Sequence, residues 1–308
     1  MINRILTRIK ILQTVYAHCQ KDNSSINNAE NELVHSLQKS YDLYHYLLLL
    51  IGMLTDMEQK KIDALQYKFL LTEEDRNPNI RFINNRFAEQ LRTNETLEKF
   101  VNQNGFLWDD DDTGFIRNLL NEILKSDIYA EYLQSPDTYE SDREFWYKAF
   151  KTIILNSAEL EDILEEKNIY WDGDLDIIGT FSLKTIKQFR EKNGTQQALL
   201  PMFHSDADRQ FAISLLHKAI LEQEENTKLI TAQIKNWELE RIALLDLYIM
   251  QIALAEIKNF PEIPVCISLN EYIDLARYYS TPKSATFING ILDKIVTELQ
   301  NEGKLFKN

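Results

Sequence analysis

Apolar residues recur along this chain at spacings of three and four, the period of an α-helix buried on one side. From residue 29 to about 69 the stripe runs through Leu33, Leu37, Tyr41, Tyr44, Leu47 and Leu48. A turn at Asn77-Pro78-Asn79 interrupts it, and a more polar helix is expected over 82–101. Helices are predicted next over 115–133, then, after Ser135-Pro136-Asp137, over 143–167 and 175–190. A central pair follows. Phe211, Leu215, Leu216, Ala219, Ile220 and Ile230 line one member, while Leu239, Ile242, Ala243, Leu245, Leu247, Ile249 and Ile252 make the other apolar on most faces. Pro264 opens a helix that buries Leu269, Ile273, Leu275 and Ala276. Ser280 or Thr281 is expected to cap the last helix, with Pro282 in its first turn and Phe287, Ile288, Ile291, Leu292 and Ile295 as its stripe. Gly290 falls inside that helix, which predicts close packing against its backbone.

Composition agrees with an all-α protein. Eight glycines and six prolines in 308 residues leave few turn residues for a many-stranded sheet, and 44% apolar content is ample for a core. The length predicts two lobes. Cys19 and Cys266 are the only cysteines, so a disulfide framework is not expected, and a reducing, cytoplasmic setting is. The longest apolar run, Tyr46 to Leu54, is far short of the ~20 residues that span a bilayer. The first helix is amphipathic and basic, unlike a signal sequence.

Charge is uneven. Residues 25–205 hold 32 Asp+Glu against 19 Lys+Arg, nearly the whole of the chain's net charge of -14. Residues 1–24 carry Arg4, Arg8, Lys10 and Lys21 against Asp22 alone, so an anionic partner is expected to meet the amino-terminal helix.

Catalytic chemistry has little to stand on. Asp109 to Asp112 are consecutive, without the spaced ligands and turn glycine of a calcium loop, and read as an acidic helix entry. The five histidines form no metal-binding grouping. No nucleophile elbow, phosphate-binding loop or dinucleotide fingerprint is present, so neither an enzyme nor a cofactor nor a metal is expected. At a constant offset of 66, Arg143, Phe145, Ile154, Leu155, Glu159, Trp171 and Ile186 coincide with Arg209, Phe211, Ile220, Leu221, Glu225, Trp237 and Ile252, the pattern a degenerate internal copy would leave.

The stretch from Pro264 to Lys294 carries more information than any other. It contains Asn270-Glu271 followed by Leu275-Ala276-Arg277, and then Ser284, Phe287, Asn289, Gly290, Leu292, Asp293 and Lys294 in one ungapped register. This ordered pair resembles the carboxy-terminal signature of the NusB transcription antitermination factors. Arg4 and Arg8 before Leu12-Gln13-Thr14-Val15-Tyr16 are similar to the family's basic first helix and its tyrosine. The resemblance covers about 1–20 and 206–296. It implies a NusB-like helical bundle whose first helix is residues 1–24 and whose remainder is 206–308, with 25–205 an acidic helical insertion.

What the resemblance implies about function is an RNA-binding antitermination factor. Such a factor recognises boxA-type single-stranded RNA together with ribosomal protein NusE, within a complex on RNA polymerase that reads through terminators, notably in ribosomal RNA operons. Arg4 and Arg8 would meet phosphates, Tyr16 would contact a base, and Phe287 would lie near the same RNA surface. Asn270, Glu271, Asn289 and Gly290 would serve structural hydrogen bonding and close packing. A homodimer is admitted but not specified. Departures from the family pattern are the few arginines of the first helix, Thr286 in place of a common lysine, and Cys266 at a position often basic; they imply weak RNA affinity without a protein partner. A scaffold that docks a basic protein on its acidic insertion is the rival from another class. An RNA-tethering module of a methyltransferase is a second rival, and no glycine-rich cofactor motif supports it.

Overall fold

The computed structural model describes residues 1–21, 25–67, 69, 70, 72, 76, 78–105, 108–234 and 242–305. Among them it has fourteen α-helices and no strand: α1 Arg4–Cys19, α2 Ile26–Ala64, α3 Arg86–Arg92, α4 Glu95–Asn104, α5 Thr113–Lys125, α6 Asp127–Gln134, α7 Tyr139–Thr152, α8 Ala158–Lys167, α9 Leu175–Gln188, α10 Asp206–Leu221, α11 Gln223–Ala232, α12 Leu244–Asn259, α13 Val265–Tyr279 and α14 Ser284–Asn301. The fold is all-α. Among the described residues no helix is long and apolar enough to cross a membrane.

The chain divides into two compact units, one of Met1 and 38–202, the other of 2–37 and 203–308. In the first, α7 packs on α3, α6 and α9. Its core holds the fully buried Phe82, Phe87, Trp146, Phe150 and Phe189. A polar seam runs through it at Asp142, whose carboxylate accepts from the Tyr132 hydroxyl at 2.7 Å and from the Arg86 Nε and backbone N–H at 2.8 and 3.0 Å. The run Tyr46 to Leu54 lies in α2, with Tyr46, Leu47, Leu48, Leu50, Ile51 and Leu54 all buried.

Several predicted helices are each two helices. The expected 82–101 breaks at Asn94, whose side chain accepts from Thr96 and Leu97 N–H and donates to the Gln197 carbonyl at 2.8 Å. Ser126 ends α5 and caps α6, and Ser157 caps α8 where a single helix over 143–167 was expected. In each case a short polar side chain satisfies amide groups that would otherwise be left over at a helix start, so stopping and restarting costs little. The central pair is likewise three described helices, α10, α11 and α12. Leu239 lies outside the described residues, and Ile242 and Ala243 precede α12.

Shifting α7, α8 and α9 by 66 places them over α10, α11 and α12 to within a few residues at each end. In both sets the first and third members pack together. Trp237, paired with Trp171 at that offset, lies outside the described residues.

The four consecutive aspartates enter α5 through a short 3₁₀ turn, Asp110–Asp112. Lys167 Nζ pairs with Asp112 at 3.0 Å and approaches Asp109 at 3.7 Å. Among the described residues no three His, Cys, Asp or Glu side chains are grouped to hold a metal ion.

Candidate nucleic-acid interface

The second unit is built around α12, in which every residue from Tyr248 to Ile257 is buried. α10, α11, α13, α14 and α1 pack on it. Asn3 caps α1 by accepting from Leu6 N–H at 2.9 Å. From Leu6 to Leu12 every side chain of α1 is buried, so this helix is an interior element rather than a surface strip.

That burial corrects the reading of Arg8 as a phosphate contact. Its guanidinium is 3% exposed and makes two 2.8 Å bonds, from Nε and Nη2, to the Glu256 carboxylate. Nη1 donates to Glu271 at 3.1 Å. Ser268 Oγ and the Tyr272 hydroxyl donate to the same Glu256 carboxylate at 2.7 and 2.9 Å. Burial alone would make Arg8 easier to deprotonate, but its bonds to Glu256 and the nearby Tyr272 and Glu271 outweigh it and hold the cation. Burial and the Glu256 charge push the Tyr272 hydroxyl well above its ordinary pKa. The arrangement ties α1, α12 and α13 together through a fully hydrogen-bonded ion pair, and leaves no guanidinium edge for RNA. Lys10 is also buried. Of the basic residues expected to form a cationic first helix, Arg4 and Lys21 are exposed.

Arg4 lies over the Phe211 ring, 4.8 Å from its centroid. Tyr16, on the second half of α1, is 41% exposed and meets Tyr248 edge-on with centroids 6.1 Å apart. It borders a groove of about 640 Å³ whose walls are Leu12 and Gln13 of α1, Ala243 to Leu245 at the start of α12, and Tyr279 to Thr281 at the end of α13. The groove thus joins Tyr16 to the break between the two signature helices. Phe287 is half-buried on α14, one turn past that break.

The break is fixed by Asp246, a buried carboxylate that accepts from Ser280 Oγ and, at 2.8 Å, from Ser284 Oγ. Ser284 Oγ also accepts from the Thr281 N–H at 3.2 Å. Because Ser284 anchors this clamp, α14 starts there, and Pro282 sits in the turn before the helix instead of in its first turn. Sequence reading missed Asp246, Tyr279 and Leu244 as parts of the groove. The Ser-Thr-Pro-x-Ser run hinted at a capped turn, but its carboxylate partner lies 38 residues from Ser284.

The four signature residues assigned to structure separate. Glu271 bonds Arg8. Asn270 is exposed and Asn289 half-buried, and neither makes a side-chain hydrogen bond among the described residues. Gly290 is exposed, and a Cβ built on it would meet nothing within 4 Å, which corrects the expectation of close packing there.

Residues 180–297 match the model of the NusB family. That match begins inside α9 and ends inside α14, so α1 lies outside it. The chain is 34% identical over 131 residues to the transcription antitermination protein NusB of Salinibacter ruber, covering 41% of this chain and 82% of that protein. The protein of the same name from Clostridium botulinum is 34% identical over 115 residues, 37% of this chain and 82% of its own length. The one from Koribacter versatilis is 43% identical over 96 residues, 31% and 66% respectively. No solved structure matches the chain significantly. With most of two such relatives spanned at this identity, the chain belongs to the NusB family.

Proposed function

We propose that this protein is a transcription antitermination factor that acts by binding rather than by catalysis. It takes a boxA-type single-stranded RNA together with ribosomal protein NusE, and so helps RNA polymerase pass terminators, notably in ribosomal RNA operons. The observation that carries this reading is the likeness to proteins named for antitermination, combined with signature residues left unused by the fold. Asn270 and Gly290 stand on the surface without an internal role, although glycine inside a helix costs ~1 kcal/mol against alanine. A face bare of side chain suits a partner's close approach.

On this reading Arg4 contributes a phosphate contact and Tyr16 a stacking surface at the groove, with Phe287 on the adjoining helix. Arg8 holds α1 in place. The test is fluorescence anisotropy with a labelled boxA RNA, with and without NusE, against a scrambled RNA. Arg4→Ala and Tyr16→Ala should each weaken NusE-supported binding by roughly 3- to 10-fold while lowering the melting temperature by only a few degrees, through loss of the Phe211 and Tyr248 ring contacts. Arg8→Ala should do the reverse: it leaves Glu256 buried and unpaired, a loss of ~3–5 kcal/mol of stability. Equal affinity for boxA and scrambled RNA in the presence of NusE would refute the assignment.

A further inference from the structure

The acidic unit has a groove of its own, of about 270 Å³, between α2, α3 and α4. Its walls are the aliphatic Leu48, Leu49, Met53, Leu91, Leu97 and Val101, and its polar members are Asp56, Glu98, Arg92 and Asn102. Gly52 forms part of the floor, in the interior of the 39-residue α2. A glycine weakens a helix interior, and here the fold takes no packing benefit in return, since an added Cβ would meet nothing nearer than the Arg92 Cγ at 3.9 Å. A side chain longer than alanine's would extend from this position toward the Arg92 stem, which lines the same groove.

The charges around it favour one kind of visitor. Arg92 is already engaged by Glu89. Asp56 is half-buried and makes no hydrogen bond or ion pair among the described residues, and Glu98, also on the groove's lining, is exposed. Burial raises the Asp56 carboxyl, while Arg92 and Lys60, one turn along α2, pull the other way. Over residues 38–202 the chain has 30 Asp+Glu against 19 Lys+Arg, so a cationic partner is drawn to this unit from a distance.

We propose that this groove docks a basic protein segment, which seats one or two aliphatic side chains over Gly52 and offers a lysine or arginine to Asp56 and Glu98. This inference is independent of the RNA reading, since it concerns the other unit. The space accommodates aliphatic side chains and opens to solvent, as a site for side chains on an external backbone must.

The experiment titrates the full chain into a fluorescein-labelled 14-residue helical peptide of leucines at i, i+3 and i+7 among lysines. Two control peptides replace the leucines by serine or the lysines by glutamate. Both controls should bind at least about tenfold more weakly than the parent. Gly52→Leu fills the floor without changing charge and should weaken the parent peptide by about tenfold, while Asp56→Asn should cost about threefold or more. If the larger residue disturbs folding, seen as lost helical circular dichroism, Gly52→Ala takes its place with an expected loss of about threefold. Equal binding by wild type and the filled variant, equal binding of the serine control, or no binding up to about 1 mM would overturn the proposal. So would self-association of the wild-type chain that the filled variant abolishes, which would make a second copy the occupant.

Discussion

Glycines inside helices show how much one residue type conceals. Gly52 and Gly290 face open space or ordinary contact, whereas a Cβ at Gly179 in α9 would stand 2.6 and 2.8 Å from the two methyls of Leu155. Gly290→Ala should therefore gain ~0.5–1 kcal/mol of stability in urea unfolding, the intrinsic helix preference alone. Gly179→Ala should fall short of that by ~1 kcal/mol, because half-buried Leu155 must move, and the same substitution made in a Leu155→Ala background should recover the gain relative to that background. Equal gains at both sites would mean Leu155 yields freely. From sequence, Gly290 looked like a close-packing position; composition and period locate a glycine, but what stands opposite it is a tertiary fact. Arg8 repeats the lesson. Its spacing from Arg4 puts both on one helix face, yet Glu256, 248 residues away, decides that Arg8 is internal.

At the level of elements, the helical period was readable almost throughout, and the misreadings are local. Asn94, Ser126 and Ser157 end one helix and start another without disturbing the apolar stripe, so a reading that follows the stripe runs through them. Contacts between helices were not readable at all. On α2, His45 is stacked on Phe100 of α4 with centroids 4.3 Å apart, edge-on to Tyr41, with Nδ1 2.8 Å from the Tyr41 carbonyl oxygen. Burial pushes its pKa below the ordinary value, against smaller opposing effects from that carbonyl and Asp42. The folded protein thus takes up the proton less readily than the unfolded chain. The stability tied to His45 is complete above a pH of about 6.5 and is lost as pH falls below it. Urea midpoints at pH 7.5 and 5.5 should differ more for wild type than for His45→Phe, which keeps the ring stack; parallel losses would exonerate His45.

For the molecule as a whole, charge is the property sequence reports most faithfully and interprets least well. Summing Arg4, Arg8, Lys10 and Lys21 suggested a cationic helix, but burial withdraws Arg8 and Lys10 from solution. On α1 itself only Arg4 is left exposed to displace counterions from RNA. Plotted as log affinity against log salt concentration, boxA binding by this chain without NusE should have a slope no steeper than about -2, given roughly -0.7 for each single-strand phosphate contact. A slope near -5 would reveal a basic surface beyond Arg4 and its neighbours. The signature near the carboxy terminus was legible because its residues are adjacent in sequence, whereas the groove beside Tyr16 draws on α1, α12 and α13 together.

The two units share a helix, since residues 26–37 of α2 belong to one and 38–64 to the other. Protein engineers who wish to separate them inherit a constraint from this. A chain trimmed from residue 25 onward would strip the unit of 2–37 and 203–308 of Glu30, the 2.8 Å partner of His217, and of the buried Ala29, Leu33 and Leu37. Any graft or splice meant to retain that unit intact must join downstream of Leu37, partway along a continuous helix, and supply a cap for the cut end.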